Sequence, residues 1–404
     1  MDRTQRTPEP VRITSLLLFL LSALFFASGC GDTDHSAQTD SADTAQSLPG
    51  FKFTRTDSAP TQGYFFIAPF KTRNGASKRD CFLLILDAMG NVVWFKDKIT
   101  GSNFQCHENG MMSYFGKDKF YIMNKNFELI DSVSGVNMES DAHELLILPN
   151  GHYVFLGQRL DTVDASAITR PNDSHWVGAG KVVIKYGIVE ELDPNKNLVW
   201  SFDAKDHFQI ENMDPAFLLD SSKIELPHFN AIDIDSLGNF LLTARYTNEV
   251  VYVNKETNQI EWRLGGNHSD FTFVNDSLPF YGQHAAHFLP NGNILLFDNG
   301  YAMAGRMHNA RAVEYQLDLK KKTATRVWSW EYPRELISES TGNAERYADG
   351  NTLICFGKIF NRTPNVMFAL VNTKGEIEIQ CSFDDTLGSY RTYFYPELPF
   401  EVKP

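Results

Sequence analysis

The chain has 404 residues, 43% of them hydrophobic and 22% charged, and a net charge of −13 at pH 7. This is an ordinary globular composition with ample apolar material for a core. The acidic balance argues against nucleic acid as a partner, because neutralising phosphates needs a basic face. Any anionic substrate therefore needs a local pocket of positive charge. Aromatic residues make up 13% of the chain, which favours β structure.

The first thirty residues are typical of an export signal. Three arginines accompany a short apolar stretch, Leu16–Phe26, which is too short for a transmembrane helix. It ends in the sequence ASGC at residues 27–30, which resembles a bacterial lipobox, in which the cysteine becomes the lipidated first residue. We predict a signal peptide over residues 1–29 and a lipoprotein of the cell envelope, periplasm-facing or extracellular, anchored to a membrane at Cys30. The alternative is a plain secretory signal with an incidental cysteine.

The next segment is predicted to be a flexible tether. The stretch GDTDHSAQTDSADTAQSLPG is rich in Ser, Thr, Asp and Gln and nearly free of large apolar residues. Such a segment cannot bury enough surface to offset its ordering entropy. We therefore assign residues 30–55 to the tether.

Four further cysteines show no CxxC or other metal-ligand spacing. In an oxidising compartment they could form one or two disulfides, but the pairing cannot be read from sequence. They could equally be buried as small apolar residues, so both alternatives stay open. These cysteines are Cys81, Cys106, Cys355 and Cys381.

From about residue 60 onwards the sequence shows strands and turns and no convincing long amphipathic helix. One unit recurs, in which strands joined by Asn-Gly or similar turns lead to a tryptophan. Six units of about four strands predict an all-β, six-bladed β-propeller over residues 56–404, with seven blades as the alternative if the terminal strands close an extra blade. The units begin near Phe82, Cys106, Asp141, His228, Gly282 and Gly342. Packing between blades is predicted for Trp94, Trp200, Trp262 and Trp330.

The fifth unit contains the clearest hairpin, Gly282–Gly300, with the sequence GQHAAHFLPNGNILLFDNG. Its Pro-Asn-Gly turn joins two apolar strands, since proline presets φ and asparagine and glycine accept positive φ. His284 stands at the entrance of this hairpin. His287 lies three positions further on, so on an extended strand it should face the other way and be packed or hydrogen-bonded.

Histidines recur at one phase of the repeat. In a propeller the first strand of each blade lines the central channel, so residues at one phase share a height around the axis. His143, His228 and His284 each precede the apolar alternation of their unit, and they should converge at one mouth of the channel. His107 has a similar phase in the weaker second unit. Arg245, at the end of the fourth unit's second strand, could lie beside them.

Such a ring permits two chemistries. It could bind a metal, or imidazoles beside an arginine could hold an anion and pass a group through a nitrogen nucleophile. Arg245 favours the anion, because a fixed guanidinium repels a cation and its planar fork suits an oxyanion. We also find no carboxylate at the repeat phase to neutralise a metal. We therefore predict an anion site and no metal.

Three blocks carry a resemblance to a known family. HFNAIDID…LLTAR, GQHAAHFLPNGNILLFDNG and GNAERYADGNTLI resemble the arylsulfotransferases, bacterial aryl-sulfate sulfotransferases that do not use phosphoadenosine phosphosulfate. The resemblance runs over about Asp141–Phe383. It implies a six-bladed propeller and the transfer of a sulfuryl group from a phenolic sulfate ester to a phenol through a sulfohistidine, with no cofactor.

Matched position by position, the resemblance implies that His284 is the nucleophile and that His228 and Arg245 bind the sulfuryl group. His143 corresponds to the histidine that opens the family's HExxxLPNG-like block. In this interpretation neutral His284 attacks sulfur in line, and the other three stabilise the sulfuryl oxygens. His143 or His228 protonates the leaving phenolate, and an acceptor phenol then takes the group, giving ping-pong kinetics.

Asn230 and Asn299 also lie in matched blocks, and we predict a supporting, substrate-binding role for them. The sequence departs from the larger family members, because it has no room for their N-terminal β domain and no evident counterpart of their disulfide near the active site. The oligomeric state therefore stays open. Loops at Arg159–Val177 and Tyr301–Arg311 are expected to contact substrate. The alternatives are a non-catalytic lipoprotein that binds an anionic, sulfated ligand and a metal-dependent hydrolase.

Overall fold

The structure is a computed structural model, which describes residue 48 and residues 50–71, 81–99, 102–164, 166, 180–217, 223–302, 305–306, 308–359, 366–383 and 387–400. The predicted signal peptide, the lipidation site Cys30 and residues 30–47 of the predicted tether lie outside the described residues. The strands belong to a unit that runs from Ser47 to Pro404.

Short strands rich in β-branched, leucine and aromatic residues make up most of the described chain. The first half of the chain contains β1 (Phe51–Arg55), β2 (Tyr64–Lys71), β3 (Cys81–Asp87), β4 (Val92–Ile99), β5 (Ser102–Cys106), β6 (Met112–Phe115), β7 (Phe120–Met123), β8 (Leu129–Val133), β9 (Glu139–Ile147), β10 (Tyr153–Asp164), β11 (Lys181–Leu192) and β12 (Leu198–Asp203). Three short 3-10 helices follow at Ala204–Asp206, Ile210–Asn212 and Pro215–Phe217.

The second half of the chain repeats the pattern. It contains β13 (Lys223–Leu226), β14 (Phe229–Ile234), β15 (Phe240–Ala244), β16 (Glu249–Asn254), β17 (Gln259–Gly265), β18 (Thr272–Val274), β19 (His284–Phe288), β20 (Ile294–Asp298), β21 (Tyr301–Ala302), β22 (Gly305–Arg306), β23 (Arg311–Asp318), β24 (Thr323–Glu331), β25 (Ser338–Ser340), β26 (Asn343–Arg346), β27 (Thr352–Cys355), β28 (Lys358–Ile359), β29 (Phe368–Val371), β30 (Ile377–Phe383) and β31 (Leu387–Tyr395).

These strands form six blades around a channel, which confirms the predicted all-β, six-bladed propeller. From the channel outwards the strand orders are β31-β2-β3-β4, β5-β6-β7-β8, β9-β10-β11-β12, β14-β15-β16-β17, β19-β20-β23-β24-β18 and β26-β27-β29-β30-β1. The inner strands contact one another in a closed ring: β5, β9, β14, β19, β26, β31 and β5 again. Strand β13 extends the third blade by pairing in parallel with β11.

The two ends of the chain close the ring within existing blades. Strand β1 pairs with β30 as the outer strand of the sixth blade, and β31 pairs with β2 as the inner strand of the first. The seven-blade alternative is therefore wrong. The predicted tether, residues 30–55, includes residues that belong to the sixth blade. Side chains of Phe51–Arg55 alternate half-buried and exposed, and the ring of Phe51 stacks on Phe383 at 5.4 Å.

Aromatic rings fill the spaces between blades. Trp262 belongs to a buried cluster shared by the fourth and fifth blades. The other three predicted tryptophans also contact a ring of the neighbouring blade. Trp94 packs on Phe127, Trp200 on Phe240 and Trp330 on Phe356, with ring centroids 4.6, 4.5 and 6.3 Å apart. The predicted packing role of these tryptophans is confirmed.

The hairpin predicted at Gly282–Gly300 forms from β19 and β20. Its turn is closed by a hydrogen bond from the N–H of Gly292 to the carbonyl of Leu289. Gly292 takes the positive φ, at 82°. Asn291 contributes differently from the prediction, since its side-chain oxygen accepts a hydrogen bond from the N–H of Asn293 at 3.0 Å.

The sequence left open whether the cysteines form disulfides, and the structure answers this for three of them. Cys106, Cys355 and Cys381 are free thiols buried in the core. They act as small apolar residues, because burial raises the pKa of each thiol. Within the described residues no helix is long and apolar enough to cross a membrane.

Replacing Phe65 by Ala is expected to lower the free energy of unfolding by about 3–5 kcal/mol. Phe65 is fully buried where the first and sixth blades meet, with its ring centroid 4.8 Å from that of Phe368 and 4.6 Å from that of Phe394. Leu237, which is 81% exposed, provides the control, and Leu237→Ala should change the free energy by less than about 0.5 kcal/mol. Denaturant titration measures both, and equal effects would contradict a tightly packed seam.

Candidate active site

Three predicted histidines and the predicted arginine come together at one mouth of the channel. His143 lies in β9, His228 comes directly before β14, and His284 opens β19. The ring centroids of His143 and His228 are 4.9 Å apart. The N–H of Arg245 donates to the carbonyl of His228 at 3.1 Å, and its Nε donates to the carbonyl of Gly282, two residues before His284, at 3.4 Å. We call these four residues the histidine–arginine cluster.

Irregular pairing of the inner strands sets the direction of these side chains. The antiparallel register shifts beside His143, His228 and His284, in three consecutive blades. A β-bulge of this kind bends a strand and re-aims a side chain. His228 has a φ of 63° and Ala285 a φ of 54°, and such conformations cost on the order of 1–3 kcal/mol each. The propeller therefore holds strained backbone at its channel mouth.

His284 is almost fully buried, with 2% of its surface exposed. Its Nδ1 lies 2.7 Å from Oδ1 of Asn299. The amide nitrogen of Asn299 donates to Oγ of Ser338 and to the carbonyl of Thr341, so its Oδ1 accepts and the proton sits on Nδ1 of His284. Nε2 then carries the lone pair, which accepts a hydrogen bond from the N–H of Thr341 at 3.1 Å. Burial, and then the charge of Arg245, hold the pKa of His284 well below its usual range.

Asn230 holds the backbone on both sides of His284. Its amide nitrogen donates to the carbonyl of Gln283 at 2.9 Å, and its Oδ1 accepts from the N–H of Ala285 at 3.4 Å. Asn230 and Asn299 are both fully buried. The structure shows them as supports of His284, and their predicted contact with substrate stays a prediction.

Arg245 is a positive charge buried at the end of β15, with 5% of its surface exposed. Its Nη2 donates to the carbonyl of Glu339 at 2.7 Å and its Nε to that of Gly282 at 3.4 Å. The guanidinium lies over the rings of Phe217 and Tyr246, 5.1 and 5.6 Å from their centroids. No carboxylate among the described residues forms an ion pair with it. Since an unpaired buried charge is costly, this position suits an anion.

Two carboxylates that the sequence reasoning missed flank the cluster. Nδ1 of His143 contacts Oδ1 of Asp141, and Nδ1 of His228 lies 2.7 Å from Oε2 of Glu225. The prediction concerned carboxylates at the repeat phase itself, whereas Asp141 and Glu225 precede their histidines by two and three positions. Burial lowers the pKa of His228, against the hydrogen bond to Glu225. Among the described residues no three His, Cys, Asp or Glu side chains are grouped to hold a metal ion.

His107 does not join the cluster, so its predicted phase is wrong. The N–H of Gly110 bonds to the carbonyl of His107, as the N–H of Gly151 bonds to that of Leu148 in the third blade. His107 thus occupies the hairpin turn at the other end of its inner strand. It is buried against Oγ of Ser113 at 2.8 Å, and burial lowers its pKa to about 3.

His287 faces the same side of its sheet as His284, contrary to the prediction. The bulge pairs His284 with Phe297 and His287 with Leu295, and these two partners share one face of β20. Nε2 of His287 lies 3.7 Å from Oε2 of Glu345, and its Nδ1 lies 3.2 Å from the carbonyl of Ala285. The predicted packed or hydrogen-bonded state is confirmed.

A cleft of about 670 Å³ opens beside the cluster. His143 and His228 line it, together with residues of the second and third blades. The rest of its lining is mixed in character and includes Phe115, Lys117, Asp118, Met138, Gln158 and Lys185. The loop predicted to contact substrate at Arg159–Val177 lies largely outside the described residues, as does part of the loop Tyr301–Arg311.

Fold and cluster together define a class of protein: a six-bladed β-propeller with three histidines and a buried arginine at its channel mouth. The arylsulfotransferase (ASST) family model matches residues 57–391. The chain therefore belongs to the arylsulfotransferase family.

The chain is also similar to two individual proteins. It is 35% identical over 97 residues to the arylsulfate sulfotransferase AssT of Escherichia coli O6:H1, a match that covers 22% of this chain and 15% of that protein. A crystal structure of a protein of unknown function from Bacteroides caccae aligns with a TM-score of 0.52 and 12% identity, covering 83% of this chain and all of that one. The structural likeness supports the fold.

Replacing Asn299 by Asp is expected to raise the pKa of His284, because a carboxylate beside Nδ1 favours the protonated ring. In the wild type the lowered pKa keeps the ring neutral as pH falls from about 8 to about 6. In the variant the ring should gain its proton within that range.

Histidine NMR signals followed against pH measure this change, with the signal of His284 identified by its loss in His284→Asn. Asn195→Asp, on an exposed turn, should leave that signal unchanged. A wild-type His284 that titrates at about 6.5 would overturn the assignment of a neutral ring.

Proposed function

We propose that this protein transfers a sulfuryl group from an aryl sulfate ester to a phenolic acceptor, without phosphoadenosine phosphosulfate and with no cofactor. The observation that carries the proposal is a buried neutral imidazole, His284, beside a buried guanidinium, Arg245, that has no carboxylate partner among the described residues. A neutral ring nitrogen can act as a nucleophile, and the free charge can hold the sulfuryl oxygens. Membership of the arylsulfotransferase family supports the same reaction.

In the first half-reaction Nε2 of His284 attacks sulfur and the bond between sulfur and the aryl oxygen breaks. The hydrogen bond from the N–H of Thr341 to Nε2 must be released at this point. Arg245, His143 and His228 stabilise the charge on the sulfuryl oxygens, and one such donor is worth about 3–4 kcal/mol in the transition state. The product is a sulfohistidine and a phenol.

The cleft beside His143 and His228 is the place for the aryl group. In-line displacement puts the leaving oxygen on the side of sulfur away from His284, and the acceptor oxygen must return along the same line. His143 and His228 line the cleft, whereas His284 is buried and does not belong to its lining. Donor and acceptor therefore use the cleft in turn, which gives ping-pong kinetics.

Mixing the purified protein with 4-nitrophenyl sulfate should release one equivalent of 4-nitrophenol and leave an acid-labile sulfuryl group on the peptide that contains His284. Continued release should require added phenol. Peptide mass mapping and absorbance follow the two events. His284→Asn should lose both, because an amide cannot form the intermediate.

Glu256→Gln, at an exposed turn, is the matched control and should behave as the wild type. Release of free sulfate at the same rate with and without phenol would indicate a hydrolase and contradict transfer. Binding of the ester with no adduct and no product would indicate a protein that only binds anions.

We further propose that the protein works in the cell envelope as a lipoprotein anchored at Cys30, which rests on the lipobox-like sequence. Cys30→Ser should move the protein from the membrane fraction to the soluble fraction and abolish labelling by a fatty acid. Wild-type protein that is never labelled would contradict the anchor.

A further inference from the structure

We propose that Asp141 and Glu225 are positioning residues with different tasks. Asp141 makes His143 the group that exchanges a proton with the aryl oxygen, whereas Glu225, shared with Lys185, holds the ring of His228 in its position beside His143 and Tyr246. The proposal rests on the proposed function and decides between the two histidines that could serve as the acid.

Both carboxylates take the same ring atom of their histidine. Asp141 contacts Nδ1 of His143, and Glu225 lies 2.7 Å from Nδ1 of His228. A carboxylate at Nδ1 fixes the tautomer and leaves Nε2 as the ring nitrogen that meets the substrate. Both histidines line the cleft, with 15% and 19% of their side chains exposed.

The two carboxylates differ in what balances their charge. Oε1 of Glu225 lies 2.8 Å from Nζ of Lys185, so a permanent cation already compensates this carboxylate. Asp141 accepts from the N–H of His143 at 2.9 Å as well as from its ring, and no lysine or arginine among the described residues forms an ion pair with it. Glu225 is therefore shared between His228 and a lysine, whereas Asp141 contacts both the ring and the N–H of His143.

The surroundings of the two rings act in the same sense. His228 stacks on Tyr246 with centroids 4.5 Å apart, and Arg245 and His143 oppose its protonation. His143 meets His228 on one side and Tyr390 on the other, with a centroid distance of 5.5 Å to Tyr390. The ring of His228 thus contacts both Tyr246 and His143, while His143 is paired with a carboxylate that has no lysine or arginine partner among the described residues.

The proton balance follows. As the bond between sulfur and the aryl oxygen breaks, its electron pair stays on oxygen, which takes the proton from Nε2 of His143. In the second half-reaction the acceptor phenol gives its proton to Nε2 of His143 while its oxygen attacks sulfur, and the bond between nitrogen and sulfur breaks towards His284. No proton is gained or lost over the full cycle.

Leaving-group dependence tests the division of tasks. Asp141→Asn should slow transfer from phenyl sulfate about 100-fold or more, because the poor leaving group needs the acid. It should slow 4-nitrophenyl sulfate by less than about 10-fold, because that phenolate leaves without help. Glu225→Gln should slow both donors by the same factor. Asp57→Asn, on the exposed surface, should change neither rate.

An equal loss with both donors in Asp141→Asn, or a selective loss of phenyl sulfate in Glu225→Gln, would overturn the proposal. Thermal unfolding shows whether each variant is folded, and His143→Gln must lose more activity with phenyl sulfate than with 4-nitrophenyl sulfate, which keeps the test valid if Asp141→Asn does not fold. Failure of the proposed function is a separate result, since wild-type protein would then form no adduct on His284 with either donor.

Discussion

The rest of the site depends on the burial of one guanidinium, which has no carboxylate ion-pair partner among the described residues. Main-chain carbonyls and two aromatic faces hold Arg245, while the carboxylates of Glu225 and Glu339 act on its charge without forming an ion pair with it. That charge disfavours protonation of His284 and His228, and it gives a strongly acidic protein a local place for an anion. Burial is the main cause of the lowered pKa of His284, and the charge of Arg245 acts in the same direction.

The propeller provides this arrangement by holding backbone that would otherwise relax. Positive φ occurs at Asn103, His228, Ala285 and Thr341, all near the same end of the inner strands. Asparagine side chains clamp neighbouring blades at this end. Asn343 donates to the carbonyl of Thr392 at 2.9 Å and accepts from its N–H at 3.1 Å, as Asn230 does with the strand of His284. Because the inner strands form a closed ring, the neighbouring blades hold each strained residue in its conformation.

Sequence periodicity predicted the blade count, the hairpins and the convergence of His143, His228 and His284, because these depend on apolar alternation and turn chemistry. It misplaced His107 and the side of His287, because a bulge adds a residue and changes which face a side chain takes. The partners Ser338 and Thr341 were missed because they belong to the segment before the sixth blade and have no counterpart in the repeat. Asp141 and Glu225 are close in sequence to His143 and His228. Their contacts with these histidines were missed because they form where the strand pairing is irregular.

Burial of the nucleophile bears on why the proposed chemistry is transfer and not hydrolysis. His284 has 2% of its surface exposed, and Asn230, Asn299 and Thr341 occupy its surroundings with protein groups. A sulfuryl group on Nε2 would therefore meet an attacking oxygen from the side of the cleft. A phenol can pack its ring against the lining of the cleft and present its oxygen in line, whereas water gains no such orientation. The burial that keeps His284 neutral also keeps its ring away from water. Turnover therefore requires an acceptor that binds in the cleft.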